Sequence, residues 1–386
     1  DYTAPTNVLN PMEGYAVNFG DQPDPKTADA TGNVNDGNMQ LTLYNNNNTY
    51  TQGFNLVGNP YPSPIDWDAS SGWTKTNIDD AIYFFKAGTT NQYLGTYSSY
   101  INGVSSDGIA DNIIPAMQGF FVHVTDGTYP VTGILGFTNS VRSNDLAPPF
   151  FKEIKADSRS IIRINADFSD NQAPADPIVI YFDETSSWYF EPEKDALKRM
   201  NTDTRVPNFY LYSADTRKLS ICGMPYPDEN IQKIPVGINV ENGGWIRFYA
   251  TDKELFPSEL HAYLVDAETG RTLDLRNDEH YDVYLDPGEI NSRFYLIFSA
   301  DKWSNPFSAN ELFTISRNGE QVWVTINLQF GEKGVLHMLN AQGQALMTKE
   351  VFGNEVIYIN KQISSGIYIL SLFSNKGVYS KKLLMP

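Results

Sequence analysis

Near its end the chain reads SSGIYILSLF (364–373), SNKG (374–377) and VYSKKL (378–383). The first run is short, apolar and rich in β-branched and aromatic residues, which at this length favours a strand over a helix. The run SNKG, with its Ser, Asn and Gly, is typical of a tight turn. We therefore predict a terminal β-hairpin whose second arm is an edge strand protected by two lysines.

This hairpin resembles the end of the C-terminal sorting domain carried by proteins that bacteria export through type IX secretion. The resemblance rests on Gly366 and Tyr368 in the first arm, Gly377 in the turn, and the pair Lys381 and Lys382 in the second arm. It implies that these residues form a sorting signal read by an export machinery. It also implies an exported protein of the cell surface or extracellular space, and we expect a signal peptide to have been removed from it.

Length and charge both indicate more than one domain. The 386 residues exceed what one ordinary core holds. Residues 1–145 contain 4 basic and 14 acidic residues, 146–303 contain 17 and 27, and 304–386 contain 7 and 5. Because the acidic body ends near Trp303, we predict three domains with these bounds. Such a body repels phosphates and anionic lipid, and no apolar run is long enough to enter a bilayer, so neither nucleic acid nor membrane insertion is expected.

In the N-terminal domain the most distinctive run is GFNLVGNPYPSPIDW (53–67). Its first residues predict a strand, and three prolines at alternate positions then hold the backbone extended. Together with MQGFFV (117–122), this run resembles a module of surface proteins that end in the same sorting domain. Tyr61 and Trp67 are candidate ligand contacts, since aromatic rings on rigid loops suit sugar or protein surfaces. The alternative is that both rings cover strand ends as part of the core.

The other two domains are also predicted to be all-β. Alternating segments over 146–303 indicate a jelly-roll-like β-sandwich, and about seven strands over 304–386 indicate an immunoglobulin-like one. SNDLAPPF (143–150) and DKWSNP (301–306) read as the linkers before them. The one helix candidate is Pro192–Met200, because proline suits the first helical position and its acids precede its bases.

No motif for phosphoryl, hydride or acyl-transfer chemistry occurs in the chain. Cys222, its one cysteine, lies in an apolar run and is interpreted as a buried free thiol. The adjacent acids Asp79–Asp80 and Asp183–Glu184 point to opposite faces of a strand, so neither pair resembles a glycosidase centre. We therefore predict that the chain is not an enzyme. Four histidines are present, none at a metal-ligand spacing: His123, His261, His280 and His337.

No cofactor is predicted, and calcium is the one alternative. NVNDG (33–37) and SSDGIADN (105–112) hold clustered oxygens that suit the flexible shell of this ion. Neither run matches the twelve-residue loop with a terminal glutamate, and a hairpin turn is the competing interpretation of each.

Taken together, the sequence is interpreted as a non-enzymatic, adhesin-like protein of the cell surface. Its expected partners are an extracellular glycan or a host or neighbour-cell protein, and the export machinery through residues 304–386. One alternative is the carbohydrate-binding tail of a larger secreted glycan-degrading protein. The other is a spacer that holds another domain away from the membrane. Since one fold can serve all three roles, the choice depends on whether a binding site exists.

Overall fold

Strands contain 54% of the residues and helices 1%, which confirms the predicted all-β class. The one helix in the described part of the chain is a 3₁₀ turn at Asn139–Val141, and none there is long and apolar enough to cross a membrane. The structure, a computed structural model, describes residues 8–17, 31–88, 91, 93–144, 159–170, 172–227, 232–253, 256–299, 312–318, 321–328, 333–352, 354–359, 364–374 and 377–385.

The chain divides into two compact units. The first contains residues 1–226, 236–257 and 279–290, and the second contains 227–235, 258–278 and 291–386. The predicted domain boundaries at 145 and 303, the hinge 301–306 and most of the linker 143–150 lie outside the described residues. The three-domain division therefore stays a prediction.

The first unit begins with a two-layer sandwich, here called the N-terminal sandwich. One sheet has the order β2-β9-β5-β6-β7 and the other β1-β10-β4, while β3 pairs with β8. Apolar side chains of both sheets, such as Val57 and Leu135, meet in one core. Its strands are β1 (Met39–Asn45), β2 (Phe54–Gly58), β3 (Ile65–Asp66), β4 (Trp73–Thr76), β5 (Ile78–Ala87), β6 (Gly95–Ile101), β7 (Val104–Ser105), β8 (Ile113–Ile114), β9 (Gly119–Val124) and β10 (Val131–Phe137).

The next eleven strands are β11 (Ile161–Phe168), β12 (Asp176–Phe182), β13 (Ala196–Leu197), β14 (Asn208–Tyr212), β15 (Lys218–Met224), β16 (Gln232–Val240), β17 (Gly244–Thr251), β18 (His261–Asp266), β19 (Thr272–Asp274), β20 (Tyr281–Leu285) and β21 (Gly288–Ser299). Eight of these strands form the middle sheet of the first unit, with the order β16-β14-β15-β12-β11-β17-β20 and β13 paired with β15. Every residue of β12 is buried, so this strand lies in the core. β16 and β21 contribute residues to both units.

The predicted helix at Pro192–Met200 is wrong. One turn forms where Asp195 N donates to Glu191 O at 2.8 Å, and the chain then enters β13, which pairs with β15. The Asp195 carboxylate accepts hydrogen bonds from Glu191 N and Gly223 N, each at 2.8 Å. The long-range bond from Gly223 and the pairing of β13 with β15 draw the chain into the sheet, so its backbone groups bond to β15 rather than within a helix.

Arg199 joins the middle sheet to the N-terminal sandwich within the first unit. Its guanidinium carbon lies 4.7 Å from the ring centroid of Phe54, 4.6 Å from that of Tyr97 and 4.4 Å from that of Phe121. Such distances give cation–π attraction, which is strongest when the cation is shielded from water. Backbone bonds support the contact, since Thr202 N donates to Gly95 O at 2.9 Å.

In the second unit, β18 pairs with β19 and with β21, and the last seven strands form the C-terminal sandwich. These strands are β22 (Phe313–Asn318), β23 (Gln321–Asn327), β24 (Lys333–Leu339), β25 (Ala345–Phe352), β26 (Asn354–Ile359), β27 (Gly366–Ser374) and β28 (Gly377–Met385). They form sheets β22-β23-β26 and β25-β24-β27-β28 around their own core. The strand count agrees with the prediction, and the terminal hairpin is confirmed because β27 and β28 pair along their whole length.

The buried carboxyl of Asp195 makes stability depend on pH. Burial raises the pKa of Asp195 to about 7, whereas an unfolded aspartate titrates near 3.9. Between about pH 4 and pH 7 the folded chain holds a proton that the unfolded chain releases, so this group lowers stability as pH rises, by on the order of 4 kcal/mol. We expect Asp195→Asn to remove that slope in urea unfolding followed from pH 4 to pH 8.

Asp183→Asn is the matched control, because hydrogen bonds from Thr185 lower the pKa of the Asp183 carboxyl. Its contribution to stability is lost as pH falls, which is a slope of opposite sign. Equal pH profiles for wild type and Asp195→Asn would contradict the prediction.

Candidate binding face of the middle sheet

One face of the middle sheet carries exposed aromatic side chains on two neighbouring strands. In β17, Ile246 and Phe248 are buried in the core while Trp245 lies on the opposite face. In β20, Val283 is buried and Tyr284 is exposed. Antiparallel pairing places Trp245 directly opposite Tyr284. The fold therefore brings together two rings that are far apart in the sequence.

The two rings form a half-exposed pair. Trp245 and Tyr284 are each 52% exposed, and their centroids lie 5.9 Å apart with the ring planes at 78°. This edge-to-face geometry is one that aromatic pairs prefer. Ser169 N donates to the carbonyl oxygen of Trp245 at 2.9 Å. Because strands rather than loops carry the rings, the surface is formed before any ligand arrives.

A charged pair lies beside the rings on the same face. Arg247 is opposite Asp282 across β17 and β20, with 2.9 Å from Nε to Oδ1 and 3.3 Å from Nη2 to Oδ2. His280 Nε2 lies 3.6 Å from Oδ2 of the same carboxylate. The arginine and aspartate side chains are 38% and 32% exposed. Both can therefore hydrogen-bond a ligand while they hold each other in place.

A second carboxyl flanks Arg247 from the opposite side. Asp167 of β11 lies across from Arg247, and burial raises the pKa of the Asp167 carboxyl. Burial and the neighbouring Asp167 also raise the pKa of the Tyr249 hydroxyl. The set that we call the platform consists of Trp245, Tyr284, Arg247, Asp282 and Asp167.

The platform has the chemistry of a binding surface. Flat apolar rings beside a donor and two acceptors match a ligand that has one apolar face and several hydroxyl groups. Neither the platform nor the rest of the described chain brings three His, Cys, Asp or Glu side chains together where they could hold a metal.

The aromatic residues singled out in the sequence lie elsewhere. Tyr61 is 1% and Trp67 2% exposed, so the interpretation of these rings as an exposed ligand face is wrong. Trp67 Nε1 donates to Asp80 O at 2.7 Å, and Lys75 Nζ lies 3.8 Å from its ring centroid. The Tyr61 hydroxyl donates to Gly37 O. The prolines turn both rings into the core, as the alternative interpretation had it.

The residues of the candidate sorting signal lie together on the terminal hairpin. Tyr368 is buried and its hydroxyl donates to Ser364 O at 2.7 Å, and Gly377 has a φ of +124°, which favours glycine. Gly366 begins β27. Lys381 Nζ lies 5.8 Å from the Phe313 ring centroid, and Lys382 is exposed. The two inner turn residues, 375 and 376, lie outside the described part.

The other groups with reactive potential are enclosed. His123 Nδ1 lies 2.6 Å from Asp79 Oδ2, and its Nε2 faces the Gln52 carbonyl oxygen at 3.0 Å. With both ring nitrogens engaged, this histidine has no nitrogen left to activate a nucleophile. Cys222 is buried, and burial raises the pKa of its thiol well above the usual value, which keeps it unreactive.

The two calcium candidates lie in loops whose polar groups are hydrogen-bonded to other parts of the protein. In 105–112, the Asp107 carboxylate accepts hydrogen bonds from Ser98 Oγ and from Ile109 N and pairs with Lys86 Nζ at 3.3 Å. In 33–37, Asn35 Nδ2 donates to Pro60 O at 3.1 Å. The hairpin-turn interpretation is wrong for both runs. The run 105–112 connects β7 to β8, which pair with β6 and β3 rather than with each other, and 33–37 lies before β1 without forming a hydrogen-bonded turn.

Sequence reasoning predicts β17 but does not identify the platform. GGWIRFY (243–249) alternates and indicates a strand, yet periodicity alone does not say which face is buried. Its partner run YDVYL (281–285) also alternates and escapes the sequence prediction. That alternation, with tyrosines at 281 and 284, is the signal that would have identified β20.

The family described as a domain of unknown function (DUF8693) matches residues 1–298. The chain belongs to this family. The platform lies within the matched residues, and the C-terminal sandwich begins after them. No curated protein matches the chain significantly.

Among solved structures, the chain is similar to the β-glucuronidase of Ruminococcus gnavus. With D-glucuronic acid bound, that enzyme is 10% identical with a TM-score of 0.16, over 38% of this chain and 37% of the enzyme. The apo enzyme gives 10% identity and a TM-score of 0.16 over 38% and 36%. The chain thus covers well under half of the enzyme's length, and a likeness of this size supports no statement about activity.

Proposed function

We propose that the protein is a non-enzymatic, adhesin-like binding protein of the cell surface, and that the platform on its middle sheet binds a carbohydrate. The observation that carries this proposal is the half-exposed pair Trp245 and Tyr284 beside the Arg247–Asp282 ion pair. An extracellular glycan is accordingly the proposed partner.

A sugar fits the chemistry of this surface. One face of a pyranose ring presents mainly C–H groups, which pack on an aromatic ring, and its edge carries hydroxyls that both donate and accept. Asp282 and Asp167 can accept hydrogen bonds from those hydroxyls, and Arg247 can donate to them. Each ring contact contributes about 0.5–1.5 kcal/mol to the binding free energy, and two or three hydrogen bonds add to it. The sum corresponds to a dissociation constant of about 0.1–1 mM, before the entropy lost in ordering the ligand is counted.

The first test is binding to a glycan array, followed by titration calorimetry. We expect Trp245→Ala and Tyr284→Ala each to weaken binding by about tenfold. Each substitution removes one ring on which the sugar stacks and exposes the other ring of the pair to water. Tyr189→Ala, a 63% exposed tyrosine outside the platform, should bind like wild type. Unchanged affinity in both platform variants would rule out the platform as the site.

The oligosaccharides that bind on the glycan array also test the proposed absence of enzymatic activity. Asp167 and Asp282 lie on strands either side of Arg247, and two acids on opposite sides of a sugar are what a glycosidase needs. Hydrolysis that disappears in Asp167→Asn would show that the platform is an active site rather than a binding surface. We expect the oligosaccharides to be recovered intact.

A second role, in export, is proposed for residues 304–386. The hairpin that carries Gly366, Tyr368, Gly377, Lys381 and Lys382 belongs to a sandwich with its own core. The same segment carries a net charge of +2 in a chain of net charge −18. Its outer face exposes Ile367, Ile369, Phe373, Val378 and Leu384, an apolar surface that an export machinery could contact.

Deleting residues 304–386 should leave the truncated protein folded but retained in the periplasm of its native host. Fusing the same residues to a periplasmic reporter should place the reporter on the cell surface. Lys381→Ala with Lys382→Ala should reduce that transfer, and Lys333→Ala with Lys349→Ala, in the same sandwich but outside the hairpin, should not. Truncated protein on the surface at normal abundance would refute the signal.

A further inference from the structure

A cleft of about 360 Å³ opens at one end of the middle sheet. It lies where β14 begins, β16 ends and β21 begins. Its volume is at the low end of the range for small-molecule sites, about 300–1,000 Å³, and suits one sugar residue. It is lined by Asn201, Asp203, Thr204, Val206, Asn208, Asn239, Val240, Glu241 and Gly288.

Some of the polar groups in this cleft are already committed to the protein. Asn208 Oδ1 accepts from Asn201 N at 2.6 Å, and its amide nitrogen donates to Asn201 O at 3.3 Å. Arg205 binds both oxygens of Asp203 through Nε at 3.0 Å and Nη2 at 2.6 Å. These bonds make a rigid wall whose charges are balanced.

Three other polar side chains in the lining have no such commitment. In the described part of the chain, the side chains of Thr204, Asn239 and Glu241 make no hydrogen bond to another residue. Together they offer a hydroxyl, an amide and a carboxylate to the cleft, which is a mixture of donors and acceptors. A polyhydroxyl ligand would satisfy all three.

The cleft is next to the platform. Glu241 is four residues before Trp245, and Gly288 is four residues after Tyr284. The two connecting segments touch, because a Cβ on Gly243 would lie 3.0 Å from Pro287 Cδ and 3.4 Å from the Tyr284 hydroxyl. Four residues of extended chain span at most about 13 Å. One oligosaccharide can therefore contact both the rings and the cleft, with a different sugar residue at each.

Charge indicates which sugars fit. Arg205 neutralises Asp203 in the cleft, whereas Glu241 has no cationic partner among the described residues. On the platform, Arg247 lies between Asp167 and Asp282. Both parts therefore have an excess of carboxylates, which disfavours uronic or sulfated sugars.

We infer that the cleft is a second sugar subsite, which holds a neutral sugar residue of the same oligosaccharide that stacks on Trp245 and Tyr284. This inference rests on the proposed carbohydrate binding at the platform. It adds to that proposal a minimum ligand length and a preference for uncharged sugars. Thr204, Asn239 and Glu241 are the residues assigned to this subsite.

The test is titration calorimetry with oligosaccharides of one to six residues made of β-1,4-linked glucose, xylose or mannose, and with oligogalacturonate as the anionic probe. Wild type should bind longer neutral chains at least about tenfold more tightly than the monosaccharide, because a second subsite adds contacts. Glu241→Gln and Asn239→Ala should remove that gain, because each removes a polar group assigned to the second subsite. Glu184→Gln, at an exposed glutamate outside both sites, is the matched control.

The outcomes separate the two proposals. If Trp245→Ala weakens binding at every length while Glu241→Gln and Asn239→Ala change nothing, the platform stands and the second subsite is overturned. If Trp245→Ala and Tyr284→Ala change nothing, the platform itself fails. Affinity that does not rise with chain length, or tighter binding of oligogalacturonate, overturns the subsite and its charge preference. Because Glu241 is exposed, its variant should fold like wild type, which circular dichroism checks.

Discussion

The first unit depends on three ionisable side chains within residues 195–199, of which Asp195 and Lys198 are buried and Arg199 is partly buried. Lys198 Nζ lies 2.5 Å from both carboxylate oxygens of Asp176, and the two side chains are each 3% exposed. Asp176 also accepts from Phe209 N at 2.6 Å. Removing one partner of such a pair costs about 3–5 kcal/mol, because the other charge stays buried alone. With Asp195 bonded to the backbone and Arg199 stacked on three rings, this short segment connects β12, β14, β15 and the N-terminal sandwich.

The same segment shows where sequence reasoning ends. Alternation was enough to predict most strands, the terminal hairpin and the all-β class, because period-two burial is a local property. The helix at Pro192–Met200 was wrong for the same reason. Its proline, early acids and late bases match local helix rules, while the groups that decide its structure, such as Asp176 and Gly223, lie about twenty residues away or more. Local charge patterns do not reveal tertiary partners.

The candidate site was less predictable than the fold. Tyr61 and Trp67 stood out because prolines surround them, but a rigid turn can direct a ring into the core as easily as outwards. Trp245 lies in an alternating strand that no sequence motif distinguishes. It becomes a candidate contact only through strand register, because the pairing of β17 with β20 places Tyr284 beside it. The cleft depends still more on topology, because its lining comes from three separate stretches of chain. No pattern within one stretch contains that information.

In the middle sheet, one face of β17 and β20 packs in the core and the other exposes aromatic rings. Ile246, Phe248 and Val283 serve the core, so the alternate positions on β17 and β20 are free of packing demands. Two large aromatic rings at such positions leave apolar area in water without adding to the core, which favours a binding role over a structural one. The net charge of −18 sets a further condition. It raises the energy of any anion that approaches the exposed rings. An uncharged ligand with an apolar face is the class that meets both conditions.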